Sequence, residues 1–481
     1  MQKKRGRFFP FFIDIDRVDG TGPMITLSKS CVVRAALAVF AVLLVLLVPE
    51  SIVRREFPQF RVVLDPGHGG ISLPDRSLHG DRYDSISGAY LQPFKEGASW
   101  GAIEEHAVVY EIAKKAAEFL ALCGEGGDYQ RFGRILEYYS VKAPRRIVID
   151  VSLSRGDSRI KKEILSREDP NGEFRLFDYP GPGGRMLPGR ISRINATRPH
   201  LVVSLHVARS GSPYFRGMNP VIVPPFGFMY NGLRVLRGEL SGKGFFLSSP
   251  YADWFDESND RSGYEWFLND SMLYFSGFPL DARRGVDAAG FKGYRYNMVR
   301  WRYRDDQGWE DVARRHPDFT PYAASPKTIN LTGRYWDRER SIYEQYRRDA
   351  GEEGFGGDNH YASAEIIRYI LMALRRHGVN HPDQRLSKPY VSVWHMPLYL
   401  NAVTAFMELG YFNRPHFRYI LTSRQDEIAE GIAVGVYSLF AGMDVRGDAG
   451  ARPPRGKRID LDKYRDSNKG CYFDQAAVPD R

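Results

Sequence analysis

Three strand-length apolar runs each lead straight into a chemically active side chain, and this feature most narrows what the chain can fold into. Phe60–Leu64 (FRVVL) enters the turn Asp65-Pro66-Gly67-His68-Gly69-Gly70, Leu201–Leu205 (LVVSL) enters His206, and the apolar stretch 402–407 enters Glu408. Continuous runs of this kind mark strands buried on both faces of a sheet. Residues 146–153 (RIVIDVSL) supply a fourth run, and Val108, Val109, Ile112, Ala116, Phe119 and Leu120 recur at helical spacing between Glu105 and Leu122. A closing amphipathic helix is expected over 426–440. The fold class is α/β: a mostly parallel or mixed sheet flanked by helices on both faces, with a large insertion and an N-terminal membrane anchor. Sheets of this type bind ligands at the carboxyl ends of their strands, which is where His68, His206 and Glu408 stand.

With 43% hydrophobic and 26% charged residues over 481 positions, the chain has ample material for a core, which excludes wholesale disorder and a multi-span membrane protein. A formal charge of +10 suits an anionic surface but is spread along the chain, so it points weakly to a partner. Cys31, Cys123 and Cys471 match no metal-binding spacing and cannot build a disulfide framework. The apolar run Ala35–Val48 follows Lys29 and Arg34 and is succeeded by no small-x-small cleavage site. It reads as an uncleaved signal anchor at 31–53, behind a basic segment at 1–30; a cleaved export signal is the alternative, and Met24 stands at a second plausible start. The basic start would stay inside, leaving the rest on the periplasmic side of the inner membrane, or exported if cleaved. Beyond the anchor the expected order is a catalytic domain in two halves, 58–210 and 358–443, separated by an insertion at 211–357 and followed by a tail at 444–481. The insertion is rich in Gly, Pro and aromatics, and Tyr264, Trp266, Tyr294, Trp301 and Tyr303 could stack sugars, gate a cleft or form a small core of their own. The tail lacks an apolar face, so disorder or a loose surface wrap is expected.

The glycine-rich turn around His68 fits neither phosphate-binding spacing, and a His replaces the Lys that such a loop needs. Alone, it could be a tight turn with a loop-capping His. His206 could be a satisfied core histidine, although a buried strand that ends on His is unusual unless something binds there. Glu105 opens the first helix after the His68 turn. Two imidazoles and a carboxylate, with a fourth position open, are the ligand set of a catalytic zinc site. Glu408 follows a buried strand, so it should be hydrogen-bonded, close to a metal or catalytic, unless a salt bridge simply neutralises it.

Five segments in order, VVLDPGHGG, EEHAVVYEIAKK, LSRGD, RISRINATRPHLVVSLHVA and AVTAFMELGYFN, resemble the motifs of the zinc-dependent N-acetylmuramoyl-L-alanine amidases of the amidase type 3 family. The resemblance implies Zn²⁺ held by His68, Glu105 and His206, Glu408 as catalytic carboxylate, and peptidoglycan as substrate, cut between muramic acid and L-alanine. Glu104 competes with Glu105; the latter is chosen because Val108, Val109, Ile112 and Ala113 then fall where the family's helix has them. Arg190 and Asn195 match the spacing of the segment before the second His. Phe412 replaces a Ser usual in the family, and the insertion has no counterpart in the minimal domain. Two other readings fit a chain of this kind: a catalytically silent peptidoglycan-binding or division-scaffold protein, and a zinc peptidase acting on stem peptides. No motif supports nucleic acid or a nucleotide cofactor, and none identifies an activating or division partner.

Overall fold

The computed structural model describes residues 57–70, 81–84, 89–92, 96–159, 172–209, 217–222, 355–387, 389–391, 396–398, 400–447, 450–466 and 470–471. The basic segment, the anchor and most of the insertion, with its five aromatics, lie outside these residues. Among the described residues no helix is long and apolar enough to cross a membrane.

The centre is a six-stranded mixed sheet. In chain order its strands are β1 (Gln59–Pro66), β2 (Val148–Leu153), β3 (Leu201–Ala208), β4 (Asn219–Ile222), β5 (Tyr390–Val391) and β6 (Val403–Tyr411), arranged in space as β5-β4-β6-β3-β1-β2. β1 runs parallel to both β2 and β3, and β3 runs parallel to β6, whereas β4 is antiparallel to β6. The four apolar runs thus form the parallel part. β4 falls inside the stretch read as insertion, so the central sheet takes one strand, Asn219–Ile222, from that stretch.

Six helices matter here: α1 (Glu105–Ala121), α2 (Tyr129–Leu136), α3 (Arg190–Ala196), α4 (Phe355–Arg376), α5 (Pro415–Ser423) and α6 (Gln425–Ala441). Alternate strand positions point to opposite faces. Val62, Leu64, Ile149, Leu201, Val203, Leu205, Val403, Ala405 and Met407 join one core with Val109 and Ile112 of α1, Ile366 and Ile370 of α4, and Ile432 and Val436 of α6. The intervening positions carry Asp65, Ser204, His206, Thr404 and Glu408, and α3 reaches that face through Arg190, which lies 3.5 Å from Asp65. Helical cover is therefore unequal, with three long helices on the apolar face.

The closing helix is not amphipathic. Every residue of α6 from Ile428 to Phe440 is buried, because α1, α4 and α5 all pack on it. Gly431 and Gly435 let α4 approach closely, since a Cβ at Gly431 would lie 2.4 Å from the Ile370 Cα. The start of the expected tail is also tied down. Buried Glu365 of α4 accepts hydrogen bonds from the backbone N–H groups of Arg455 (2.6 Å) and Gly456 (2.7 Å), and Ile459 N–H donates to Leu439 O (2.8 Å). A polar segment needs no apolar face of its own when a buried carboxylate supplies its backbone with acceptors.

Candidate metal centre

β1 ends in the turn that carries His68, and this turn is held from behind. His68 has φ of 61°, a left-handed conformation that costs a non-glycine residue about 1–2 kcal/mol. Two buried guanidinium groups hold the backbone there. Arg155 donates to the carbonyls of Pro66 (3.0 Å), Gly67 (3.1 Å) and His106 (3.1 Å), and Arg190 donates to those of His68 (2.8 Å) and Pro66 (3.4 Å). Burial, followed by the neighbouring Arg190 charge, pulls Arg155 down to about 9, so it stays cationic at neutral pH. Between them sits buried Asp65, which accepts from the hydroxyls of Ser154 (2.6 Å) and Ser204 (2.7 Å).

Glu105 opens α1 and points inward. Its Oε1 lies 3.2 Å from His206 Nδ1 and 3.4 Å from His68 Nε2, and it accepts from Val207 N–H at 2.9 Å. Its Oε2 accepts from Ala98 N–H at 2.6 Å. Burial opposes ionisation of Glu105, but the His68 charge, the His206 bond and charge and the Ala98 bond outweigh it, so the carboxyl stays below the usual range. His206 shows the converse: burial disfavours its charge, yet the bond to Glu105 and the charges of Glu105, Glu408 and Asp65 raise its proton affinity. Glu104 faces elsewhere, 3.2 Å from His106 and 3.8 Å from Arg159, with 45% of its side chain exposed. The helix register thus directs Glu105, and not Glu104, to the two histidines.

The His206 ring occupies a slot. On one side it stacks on Phe406, with centroids 4.3 Å apart and planes 11° from parallel. On the other lies Gly67, where a Cβ would stand 2.3 to 2.7 Å from three atoms of the imidazole. His68 meets His206 edge to face at 4.9 Å.

His68, Glu105 and His206 offer donor atoms all within 4.8 Å of one another. Ligands about 2.0–2.1 Å from a tetrahedral zinc ion stand about 3.3 Å apart. The 3.2 and 3.4 Å separations around Glu105 match that edge length, and the mixed nitrogen and oxygen donors suit zinc, so the residues fit the ion.

Glu408 pairs in register with His206 across β6 and β3, which places both side chains on the same face. Both strands continue past these residues, so His206 and Glu408 sit within strands rather than at their tips. Glu408 Oε2 is buried and has no hydrogen-bond partner among the described residues. Burial drives its carboxyl up to about 8, with His206 pulling it down and Glu105 pushing it further up. A carboxylate with one buried, unsatisfied oxygen beside a candidate ligand histidine calls for a ligand or a role in proton transfer.

The Asp65, Arg155 and Arg190 support and the Gly67–Phe406 slot were not foreseen as such. The motifs LSRGD and RISRIN contain the two arginines, but sequence spacing does not say that both fold back onto one turn.

No known protein family and no curated protein matches the sequence. Among solved structures, the N-acetylmuramyl-L-alanine amidase Ami1 from Mycobacterium smegmatis aligns over 79% of this chain and 96% of its own, at 12% identity and a TM-score of 0.31. The apo form of the N-acetylmuramyl-L-alanine amidase Ami1 from Mycobacterium abscessus aligns over 78% and 96%, at 12% identity and a TM-score of 0.30. Likeness at this level assigns no residue role in this chain.

Proposed function

We propose that the chain is a zinc hydrolase that cleaves the amide between N-acetylmuramic acid and L-alanine in bacterial peptidoglycan, for cell-wall remodelling or daughter-cell separation. The observation that carries the reading is the meeting of His68, Glu105 and His206 at 3.2 and 3.4 Å, with Glu408, whose buried Oε2 has no hydrogen-bond partner among the described residues, one strand over. The five ordered motifs point to the amide that such a site would cut.

His68, Glu105 and His206 would hold the ion, which when bound supplies Lewis-acid activation of water and of the scissile carbonyl. Arg155 and Arg190 keep the His68 turn in its strained conformation, and Phe406 with Gly67 fixes the plane of the His206 ring. Glu408 receives the proton of the attacking water and delivers it to the departing L-alanine nitrogen, acting first as base and then as acid. Beside the charge of the bound ion, the proton affinity of Glu408 would fall from its metal-free level, so that it starts as the base and holds the proton between the two steps. No covalent nucleophile is required. The anchor at 31–53 would keep this domain on the periplasmic side of the inner membrane.

The test is digestion of purified peptidoglycan by zinc-loaded protein. Free L-alanine amino groups on peptides and intact muramic acid on glycan are the expected products, and Glu408→Gln should keep zinc while turnover falls about 10²-fold or more. Release of reducing sugar ends, cleavage within the stem peptide, or binding without any product would each refute the reading.

A further inference from the structure

Beside the metal centre stands a cluster that the chemistry above does not use. Trp100, at the tip of the hairpin formed by Ser99–Trp100 and Ile103–Glu104, is 38% exposed. The guanidinium of Arg209 lies 5.4 Å from the centre of its ring and that of Arg418 lies 4.7 Å away. These residues come from the three segments that carry the site. The hairpin leads directly into Glu105, and Ala98 at its base donates to Glu105 Oε2. Gly97 lies so close that a Cβ there would be 2.8 Å from that same oxygen and 3.1 Å from the His68 ring. Arg209 follows β3 three residues beyond His206, and Arg418 on α5 donates at 2.6 Å to the carbonyl of Phe412, four residues beyond Glu408.

Neither arginine has a carboxylate partner among the described residues. Two cations converging on one exposed indole repel each other, and an anion between them would remove that cost. The indole adds an apolar surface for an extended chain, and guanidinium forks match carboxylates in geometry. If the function proposed above holds, the substrate has a neutral glycan, because the muramyl lactyl carboxyl is tied up in the scissile amide. Its carboxylates belong to the acidic residues of the stem peptide.

We infer that Trp100, Arg209 and Arg418 form a subsite that binds the stem peptide through its carboxylates and so selects acidic over amidated stems. This rests on the amidase reading for the identity of the ligand. The subsite orients the substrate and takes no part in bond cleavage.

The full chain, zinc-loaded, is compared on two soluble muramyl peptides that differ only in whether the stem carboxylates are free or amidated. Wild-type protein should favour the acidic form by about tenfold in kcat/KM, through KM, and lose that preference as salt rises. The double variant Arg209→Gln with Arg418→Gln should bring the ratio close to one. Arg209→Gln alone, which breaks no described hydrogen bond, keeps the test available if the double variant does not fold. Calorimetric titration with the free acidic stem peptide and its amidated counterpart should show the same arginine-dependent preference without turnover. Equal rates on both substrates in the wild type, or an undiminished preference in the arginine variants, would overturn the subsite. So would equal losses on both substrates, which would indicate glycan stacking or a purely structural cluster. A wild-type protein that cuts neither substrate yet binds the acidic peptide through the arginines would refute the amidase reading and leave the subsite standing.

Discussion

Replacing Gly67 with Ala tests whether the two histidines are held for metal or merely packed. Gly67 does not have a positive φ, so alanine incurs no backbone strain and its whole effect is steric. The new methyl would sit 2.3 Å from His206 Cε1, so the ring must retreat by about 1 Å to reach ordinary carbon contact. Retreat is blocked by Phe406, stacked 4.3 Å behind it. Overpacking of this kind costs about 1–3 kcal/mol of stability, which most domains survive. Zinc sites tolerate ligand displacements of only about 0.2 Å, so the expected loss of zinc affinity is about 10–100-fold or more. The assay is competition with a chromophoric chelator, with thermal melting of the metal-free protein to establish folding. Phe406→Ala opens space behind the ring, so the double variant Gly67→Ala with Phe406→Ala should recover part of the affinity lost by Gly67→Ala, giving a coupling that additive effects cannot produce. A folded Gly67→Ala protein that binds zinc within twofold of wild type would refute the slot and the ligand role of His206 together.

Three further outcomes are expected. Glu105→Gln should lower zinc affinity by about 10²-fold or more while Glu104→Gln leaves it nearly unchanged, and the reverse order in the chelator assay would move the ligand to Glu104. Glu408 has a folded pKa of about 8 against an ordinary 4.5, so the folded metal-free protein binds the extra proton and loses stability as pH rises through that window. Glu408→Gln should therefore match wild type in denaturant titrations near pH 4 and exceed it, by an order of a few kcal/mol at most, near pH 9; equal stability at both pH values would show that the carboxylate is not desolvated. Arg155→Met strands the carbonyls of Gly67 and His106 and leaves that of Pro66 only the 3.4 Å bond from Arg190, which should cost about 2–4 kcal/mol and weaken zinc binding, and Arg155→Lys should not rescue because one ammonium cannot span the carbonyls of Pro66, Gly67, His106 and Asp157. An Arg155→Met protein as stable as wild type would mean that the turn holds itself.

The parallel strands and the helix carrying Glu105 were legible because each is a continuous apolar run or a clean 3.6-residue repeat, and burial enforces such patterns. Less legible was the division of the sheet into unlike faces. LVVSLHVA reads as an apolar run, yet its alternate members Val202, Ser204 and His206 face the side where Asp65 and Glu408 gather, while Leu201, Val203, Leu205 and Val207 face the helices. One serine in the run was the sign, and it is weak because Ser also fits a core. β4 was missed because four residues with Pro at their second position give neither period. The buried α6 looked amphipathic because sequence shows which residues are polar, but not how many neighbours will surround the helix.

The unlike faces explain how a buried sheet could carry the proposed hydrolytic centre. Gathering Asp65, His206 and Glu408 on one face of the sheet, with Glu105 reaching them from α1, is unfavourable unless each charge finds a partner, and three of the four do. Asp65 is met by two hydroxyls and Arg190, whereas Glu105 and His206 meet each other. Glu408 alone retains a buried oxygen without a described partner, and it is the group for which partnership would defeat the proposed role: a carboxylate already saturated with hydrogen bonds could not exchange protons with water and substrate. The polar residues here are thus of two kinds, those paired with one another and one with an unpaired oxygen that the proposed proton transfer would use.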